Sequence, residues 1–362
     1  MSWMKPLGRD LIPIVGALAF AIVLLLLAGA NPFEALGLLV EGSVGSAGAL
    51  SDTLTAWVTM VLAAAGLVVT FRAGLWNIGV EGQVIAGSIA AAFVARSIEG
   101  PVAVMIILTM LAGLIGGGLW ALLAGVLRVY GKVNEIFGGL GLTFVASSLT
   151  TYLIIGPWKK EGVASTGGTD PFPRDSWLPT IGTLRVSIVA VIVAALAVVA
   201  VYFLMRGTRF GLRLKAVGQN LRSALLFGIP NKRYLLLAFI IGGALAGLAG
   251  TVRVTGFHHK LVPTPSGAHG YLGILIVLLA GFQAKWIAPI AFFFAAIAVG
   301  ASQLPLQMQV DSSLGGILRG LLVLFVLLFG GWQARRAGAR LAADKAPPVE
   351  AVILPANPGG EG

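Results

Sequence analysis

The chain has 362 residues, of which 57% are hydrophobic and 11% charged, and its mean hydropathy is +0.95. A water-soluble domain carries roughly 25% charged residues, so a soluble enzyme, a disulfide scaffold and a disordered chain are excluded. No cysteine is present, which removes disulfides, thiolate metal sites and cysteine nucleophiles, and the net charge of +11 reads first as membrane topology, since Lys and Arg gather on the cytoplasmic side.

Apolar runs of about 20 residues predict helices that cross a bilayer. In chain order they are Leu11–Gly29, Thr53–Phe71, Ile78–Ala95, Val102–Leu127, Val133–Ile155, Val186–Met205, Tyr234–Val252, Tyr271–Gln283, Ile287–Gln303 and Leu314–Gly331. The expected fold is all-α, a polytopic membrane protein of about ten transmembrane helices. The eighth run is short and reads as a broken or re-entrant segment. The first ends Ala28-Gly29-Ala30, as before a signal-peptidase site. It exceeds the roughly 7–15 residues of a secretory h-region and reads as a retained span.

An even number of spans puts both termini on one side. With both ends in the cytoplasm, 17 of the 25 Lys and Arg residues lie inside. The others, among them Arg96, Arg185, Arg253 and Arg319, lie outside, with Arg319 snorkelling or meeting Asp311. The expected division is a cytoplasmic N-terminus (1–10), a transmembrane region (11–333) and a cytoplasmic, disordered tail (334–362) rich in Pro, Gly and Ala. Two outer segments are expected, acidic Ala30–Asp52 and the Pro- and Gly-containing loop Gly156–Leu184.

The inner loop Arg206–Arg233 carries seven basic residues and no acidic one. Within it Leu214, Val217, Leu221, Leu225 and Gly228 recur at three- or four-residue steps, which predicts a short amphipathic helix over Leu214–Ile229, stopped by Gly228-Ile229-Pro230. The residues alone allow an interfacial helix on anionic lipid or a docking helix for a cytoplasmic partner.

The segment RLKAVGQNLRSALLFGIPNKRYLLLAFIIGGALAGLAG resembles the cytoplasmic loop and following span of ABC-importer permeases. FRAGLWNIGVEGQ at Phe71–Gln83 resembles a signature of their nucleoside and simple-sugar branch, and GKVNEIFGGLGLTFVASSLTTYLI at Gly131–Ile154 is similar to a third block of that branch. The branch grades into ribose-type and branched-chain amino-acid permeases. The resemblance implies an all-helical bundle with an inverted repeat and a second, homologous permease subunit, in a heterodimer. It also implies a cytoplasmic ABC ATPase that binds ATP and Mg, and an extracytoplasmic substrate-binding lipoprotein. The chain itself then binds no cofactor and no nucleic acid, is not an enzyme, and sits in the bacterial cytoplasmic membrane. The coupling residues implied are Val217, Gly218, Gln219, Asn220, Ala224, Gly228 and Ile229.

The residues agree with that division of labour. Gly125 to Gly131-Lys132 is the nearest approach to a Walker A loop, and it has one residue too many and is followed by Val133. His258, His259 and His269 fall in the outer loop after the seventh span. No carboxylate or Cys lies near them in sequence, so a solvated loop is expected rather than a metal site.

Polar groups within spans are costly and so mark candidate sites. Asn77 and Glu81 are four apart and share a face if helical, with Gln83 close by. Glu81 reads either as a structural cap, or a partner of Arg72, or as pathway lining. Asn134 and Glu135 start the fifth span, where a helix dipole favours a carboxylate. Thr143, Ser147, Ser148, Thr150 and Thr151 follow, suited to bonding a sugar or the i−4 carbonyls. Trp57, Phe71, Trp76, Phe137, Phe144 and Tyr152 offer stacking surface or ordinary packing. The candidate pathway is Trp76, Asn77, Glu81, Gln83, Asn134, Phe137 and Thr143. The expected function is ATP-driven import of nucleosides or related simple sugars. The alternatives are a permease for ribose or branched-chain amino acids and, disfavoured by the scarcity of midplane charge, an ion-coupled carrier.

Overall fold

The computed structural model describes residues 31–160, 162, 167–180, 182 and 184–308, with isolated positions in the flanking segments. The expected spans Leu11–Gly29 and Leu314–Gly331, Arg319 with Asp311, and the tail therefore lie outside the described residues.

Among the described residues the chain is helical, and the only strand-like pairing is one bridge between Thr180 and Ser187. Six helical stretches are long and apolar enough to cross a membrane: Ala47–Arg72, Val102–Val129, Glu135–Ile155, Ile188–Gly207, Asn231–His258 and Ala284–Met308. In chain order the helices are α1 (Pro32–Val44), α2 (Ala47–Arg72), α3 (Val80–Ser97), α4 (Val102–Val129), α5 (Glu135–Ile155), α6 (Ile188–Gly207), α7 (Arg209–Gln219), α8 (Leu221–Leu226), α9 (Asn231–Arg253), α10 (His269–Leu279), α11 (Ile287–Gly300) and α12 (Leu304–Met308).

Local chemistry sets the starts. Asn31 accepts the Phe33 N–H with Pro32 behind it, and Ser46 accepts the Ala49 N–H at 3.0 Å, so α1 and α2 begin at side-chain caps. Helix α1 occupies part of the segment that the sequence presents only as an acidic outer stretch. The inner loop differs more. One helix over Leu214–Ile229 is expected, but α7 starts at Arg209 and ends at Gln219. Asn220 then turns extended, and its side chain accepts the N–H groups of Arg222 and Ser223 to start α8. Asn is a better cap than helix-interior residue, so it divides the stretch.

Helix α2 is central, with 83% of its apolar window buried, and α9 packs across it and against α3 and α4. Glycines permit that approach. Gly113 and Gly117 of α4 face Gly243 and Gly247 of α9, a small-xxx-small pair on both helices. A Cβ on Gly117 would lie 2.6 Å from the Cα of Gly247. At the other extreme α6 buries only 28% of its window.

The loops sort to two ends. Arg185 bonds Asp52 at 3.1 Å at one end, while Arg72 Nε donates to the Phe282 carbonyl at 3.0 Å at the other. The short eighth run forms α10 alone, whose 11 residues rise about 16 Å, roughly half a bilayer core. The chain before it therefore turns inside the bundle.

Candidate functional site

Three interruptions of helix hold the polar residues around the site, and the second of them lines its cavity. The first is the link 73–79 between α2 and α3. Helix α3 begins at Val80, so Asn77 lies outside it and does not share a helical face with Glu81. Instead Asn77 and Gln83 close on each other, Nδ2 donating to Oε1 at 3.0 Å and Nε2 donating to Oδ1 at 2.8 Å. Both are buried, and the closed amide pair satisfies them internally. The pair braces the link against the first turn of α3.

The second interruption is the segment 259–268 between α9 and α10. It is buried at Leu261, Pro265 and Ser266 and exposed at Pro263, Thr264, Gly267 and Ala268, and its buried N–H and C=O groups need partners. Glu81 supplies two acceptors: Oε1 takes the Ser266 hydroxyl and Oε2 takes the Gly270 N–H at 2.9 Å. The carboxylate thus caps the start of α10, a position that the helix dipole favours. Arg253, buried at the end of α9, donates from Nε to the Pro265 carbonyl at 3.2 Å and contacts His258 Nε2 through Nη2 at 3.0 Å. No salt bridge joins Glu81 to Arg253 or to Arg72. The two buried residues bond adjacent positions of one loop, Arg253 at Pro265 and Glu81 at Ser266.

The third interruption precedes α5. Asn134 caps that helix by accepting the Ile136 N–H at 2.8 Å, and Glu135 bonds Arg128 Nε at 2.9 Å. Thr143, two turns on, donates to the Gly139 carbonyl and accepts the Gly82 N–H at 3.2 Å. A Cβ on Gly79 or Gly82 would lie 2.8 Å from the Cα of Gly139 or Thr143, so α3 and α5 touch backbone to backbone.

Between these elements lies an open cavity of about 780 Å³. Seven hydroxyl side chains line it: Thr143, Ser147, Ser148 and Thr151 from α5, Thr264 and Ser266 from the loop, and Tyr271 from α10. Phe144 supplies an exposed aromatic ring, and Glu81 lies at the edge with both oxygens engaged. Of the expected pathway residues, Glu81 and Thr143 reach this cavity. Trp76 packs on Phe71 with ring centroids 5.3 Å apart, Phe137 projects from α5, and Thr150 bonds back to Ala146. Thr264, Ser266, Tyr271 and Arg253 escape a reading by sequence. The available signal was a buried-span Arg followed by the Pro- and Gly-containing run VPTPSGAHG.

The histidines are not in a solvated loop. The outer loop pairs with segment 255–261 through Thr169 N–H to Leu261 O, Phe172 N–H to His259 O and Leu178 N–H to Thr255 O. His259 stacks on Trp177 with centroids 3.8 Å apart, and His269 is buried. Packing draws these rings in because each offers an apolar face as well as a polar edge.

The expected coupling residues also divide. Val217 and Ala224 are buried, Gln219, Asn220 and Gly228 are exposed, and Ile229 is half-buried. Gly218 presses on the end of α2, where a Cβ would lie 2.8 Å from the Ala73 carbonyl carbon. The outward tip is Leu225, Leu226 and Phe227, the last two 85% exposed.

Residues 49–327 match the family described as the branched-chain amino acid transport system permease component. The chain is 30% identical to the glucose ABC transporter permease protein TsgB13 of Haloferax volcanii, over 91% of this chain and 90% of that one. It is 28% identical to the guanosine ABC transporter permease protein NupP of Bacillus subtilis, over 89% and 94%. It is also 28% identical to the nucleoside ABC transporter permease protein NupB of Lactococcus lactis, over 80% and 82%. With its apolar helical bundle and a match across most of its length, this chain belongs to the ABC-transporter permease family of the branched-chain amino acid type.

Proposed function

We propose that the chain is the membrane-spanning subunit of an ATP-driven importer, and that the hydroxyl-lined cavity passes a nucleoside or simple sugar. The observation that carries this reading is the lining itself: an aromatic ring and seven hydroxyls around about 780 Å³, three of them (Thr143, Thr151 and Ser266) already donating within the protein, as its one carboxylate is already engaged. Hydroxyls donate and accept, which suits a polyol, and an aromatic face suits a base or sugar ring. A zwitterionic amino acid needs partners of both signs, and the cavity has no free one to offer. The nucleoside and glucose permeases among the relatives support the same substrate class.

The remaining parts of the proposal are supported by likeness to the family. The bundle has about ten spans with an inverted repeat, and both termini are cytoplasmic in a bacterial inner membrane. A second permease subunit covers the exposed face of α5. A lipoprotein delivers the solute outside. A separate ATPase binds ATP and Mg and docks on the α7–α8 tip, so this subunit performs no hydrolysis. Gly218 gives that docking a path inward: α7 bears on Arg72–Gly74, and the following link is tied by the Asn77–Gln83 pair to α3, which carries Glu81 to the cavity loop.

Uptake of labelled guanosine, ribose, glucose and leucine into cells expressing the whole transporter tests the reading. Uptake of a nucleoside or sugar that vanadate stops and a protonophore spares is expected. Uptake confined to leucine overturns the substrate class, and ion-driven uptake by the chain alone in vesicles overturns the mechanism.

A further inference from the structure

The end of the bundle that carries α7 and α8 holds a second cavity, of about 320 Å³. Arg72, Arg206, Lys215 and Lys285 converge on it, and no carboxylate is among the residues that line it. Arg72 and Arg206 each sit in the last turn of a helix, where the dipole favours a cation. That explains each charge singly but not the meeting of four, which repel one another.

The way the cations are held is informative. Arg72 spends Nε on the Phe282 carbonyl at 3.0 Å, which orients its guanidinium without neutralising it. Arg206 Nη1 donates to the Tyr202 hydroxyl, and the Lys285 ammonium lies 5.4 Å from the centroid of the Trp286 ring. A phenol hydroxyl and an indole ring hold these two charges without neutralising them, and the three ion pairs among the described residues lie elsewhere. Val68 and Met205 add an apolar floor. The cavity is bordered by α6, the spanning helix least covered by the other described residues. Cations, an apolar floor and a sparsely covered spanning helix at a span end match the phosphate and glycerol level of a bilayer leaflet. A guanidinium with a fixed plane suits a phosphate better than a mobile ammonium does.

We infer that this cavity binds the phosphate of an anionic phospholipid, gripped by Arg72, Arg206, Lys215 and Lys285 between α6 and the turn before α11. This site is independent of the transported solute.

The test uses the full chain in detergent, offered phosphatidylglycerol or phosphatidylcholine in mixed micelles, with retained lipid counted by native mass spectrometry. The parent is expected to retain phosphatidylglycerol preferentially, and the double variant R206Q/K285Q to lower that preference roughly 10- to 30-fold. Arg222→Gln, exposed on α8 outside the cavity, should leave it unchanged. Should the double variant fail to fold, Lys285→Gln alone reports a smaller loss in the same direction. Equal retention of both lipids by the parent, or an equal loss in Arg222→Gln, overturns the site. Displacement of phosphatidylglycerol by inorganic phosphate assigns the cavity to a soluble anion and overturns the lipid source. An intact lipid preference in the double variant, with ATPase coupling lost, assigns the cations to an acidic protein surface and likewise overturns it.

Discussion

Glu81 accepts the backbone N–H of Gly270 at 2.9 Å, across 189 residues of sequence. This bond fixes where α10 begins and how far the preceding loop enters the bundle. It joins the start of α3 to the loop that supplies Thr264 and Ser266 to the cavity.

Glu81→Ala leaves the Ser266 hydroxyl and the Gly270 amide without their acceptor. Each unsatisfied buried group costs about 1–3 kcal/mol. Faster hydrogen exchange over 264–272 and a transport rate reduced about 10-fold or more are expected. Glu81→Gln keeps one acceptor and should fall between parent and Ala. Unchanged exchange in the Ala variant would show that the loop does not depend on this side chain.

The α4–α9 seam predicts a size limit. Gly117→Ala places a methyl 2.6 Å from the Cα of Gly247. Overpacking of this kind costs about 1–3 kcal/mol, read as a lower unfolding midpoint in detergent. Gly37→Ala on α1, where nothing lies within 4 Å, is the control and should unfold no earlier than the parent, since Ala is the better helix former.

Removing cavity hydroxyls should weaken solute handling without unfolding the bundle. Ser148→Ala and Thr151→Val act at exposed positions on α5. Each lost hydrogen bond is worth about 0.5–1.5 kcal/mol, so KM for uptake should rise roughly 2- to 10-fold. A fall in kcat with KM unchanged would move the solute contact elsewhere.

The α7–α8 tip predicts where a motor subunit grips. The chain has no native cysteine, so single cysteines report cleanly. Crosslinks to the ATPase should be strong from Phe227→Cys, which is exposed, and absent from Val217→Cys, which is buried. Leu226→Asp with Phe227→Asp should uncouple hydrolysis from uptake while leaving the purified chain folded. Equal crosslinking from the buried position would refute the docking surface.

What the residues make legible by themselves follows from the period and length of apolar runs. The described runs all fold as helices near their expected bounds, because burial in lipid leaves the backbone no other partner but itself. The shortness of the eighth run was visible for the same reason, and the hydroxyls of α5 could be picked out by their spacing. Single-residue chemistry was less legible. Asn77 looked helical beside Glu81 but lies in a link, and Asn220 breaks a stretch whose apolar pattern runs on through it.

Polar pairing is what tertiary structure alone decided. Arg72, Ser266 and Gly270 were all open partners for Glu81 in sequence, and the dip of the chain before α10 selects the last two. The histidines looked solvated until the outer loop folded over them. Apolar length is a property of a local segment and can be read along the chain. A buried hydrogen bond depends on where two distant backbones come to rest, and close packing at glycine seams sets that position.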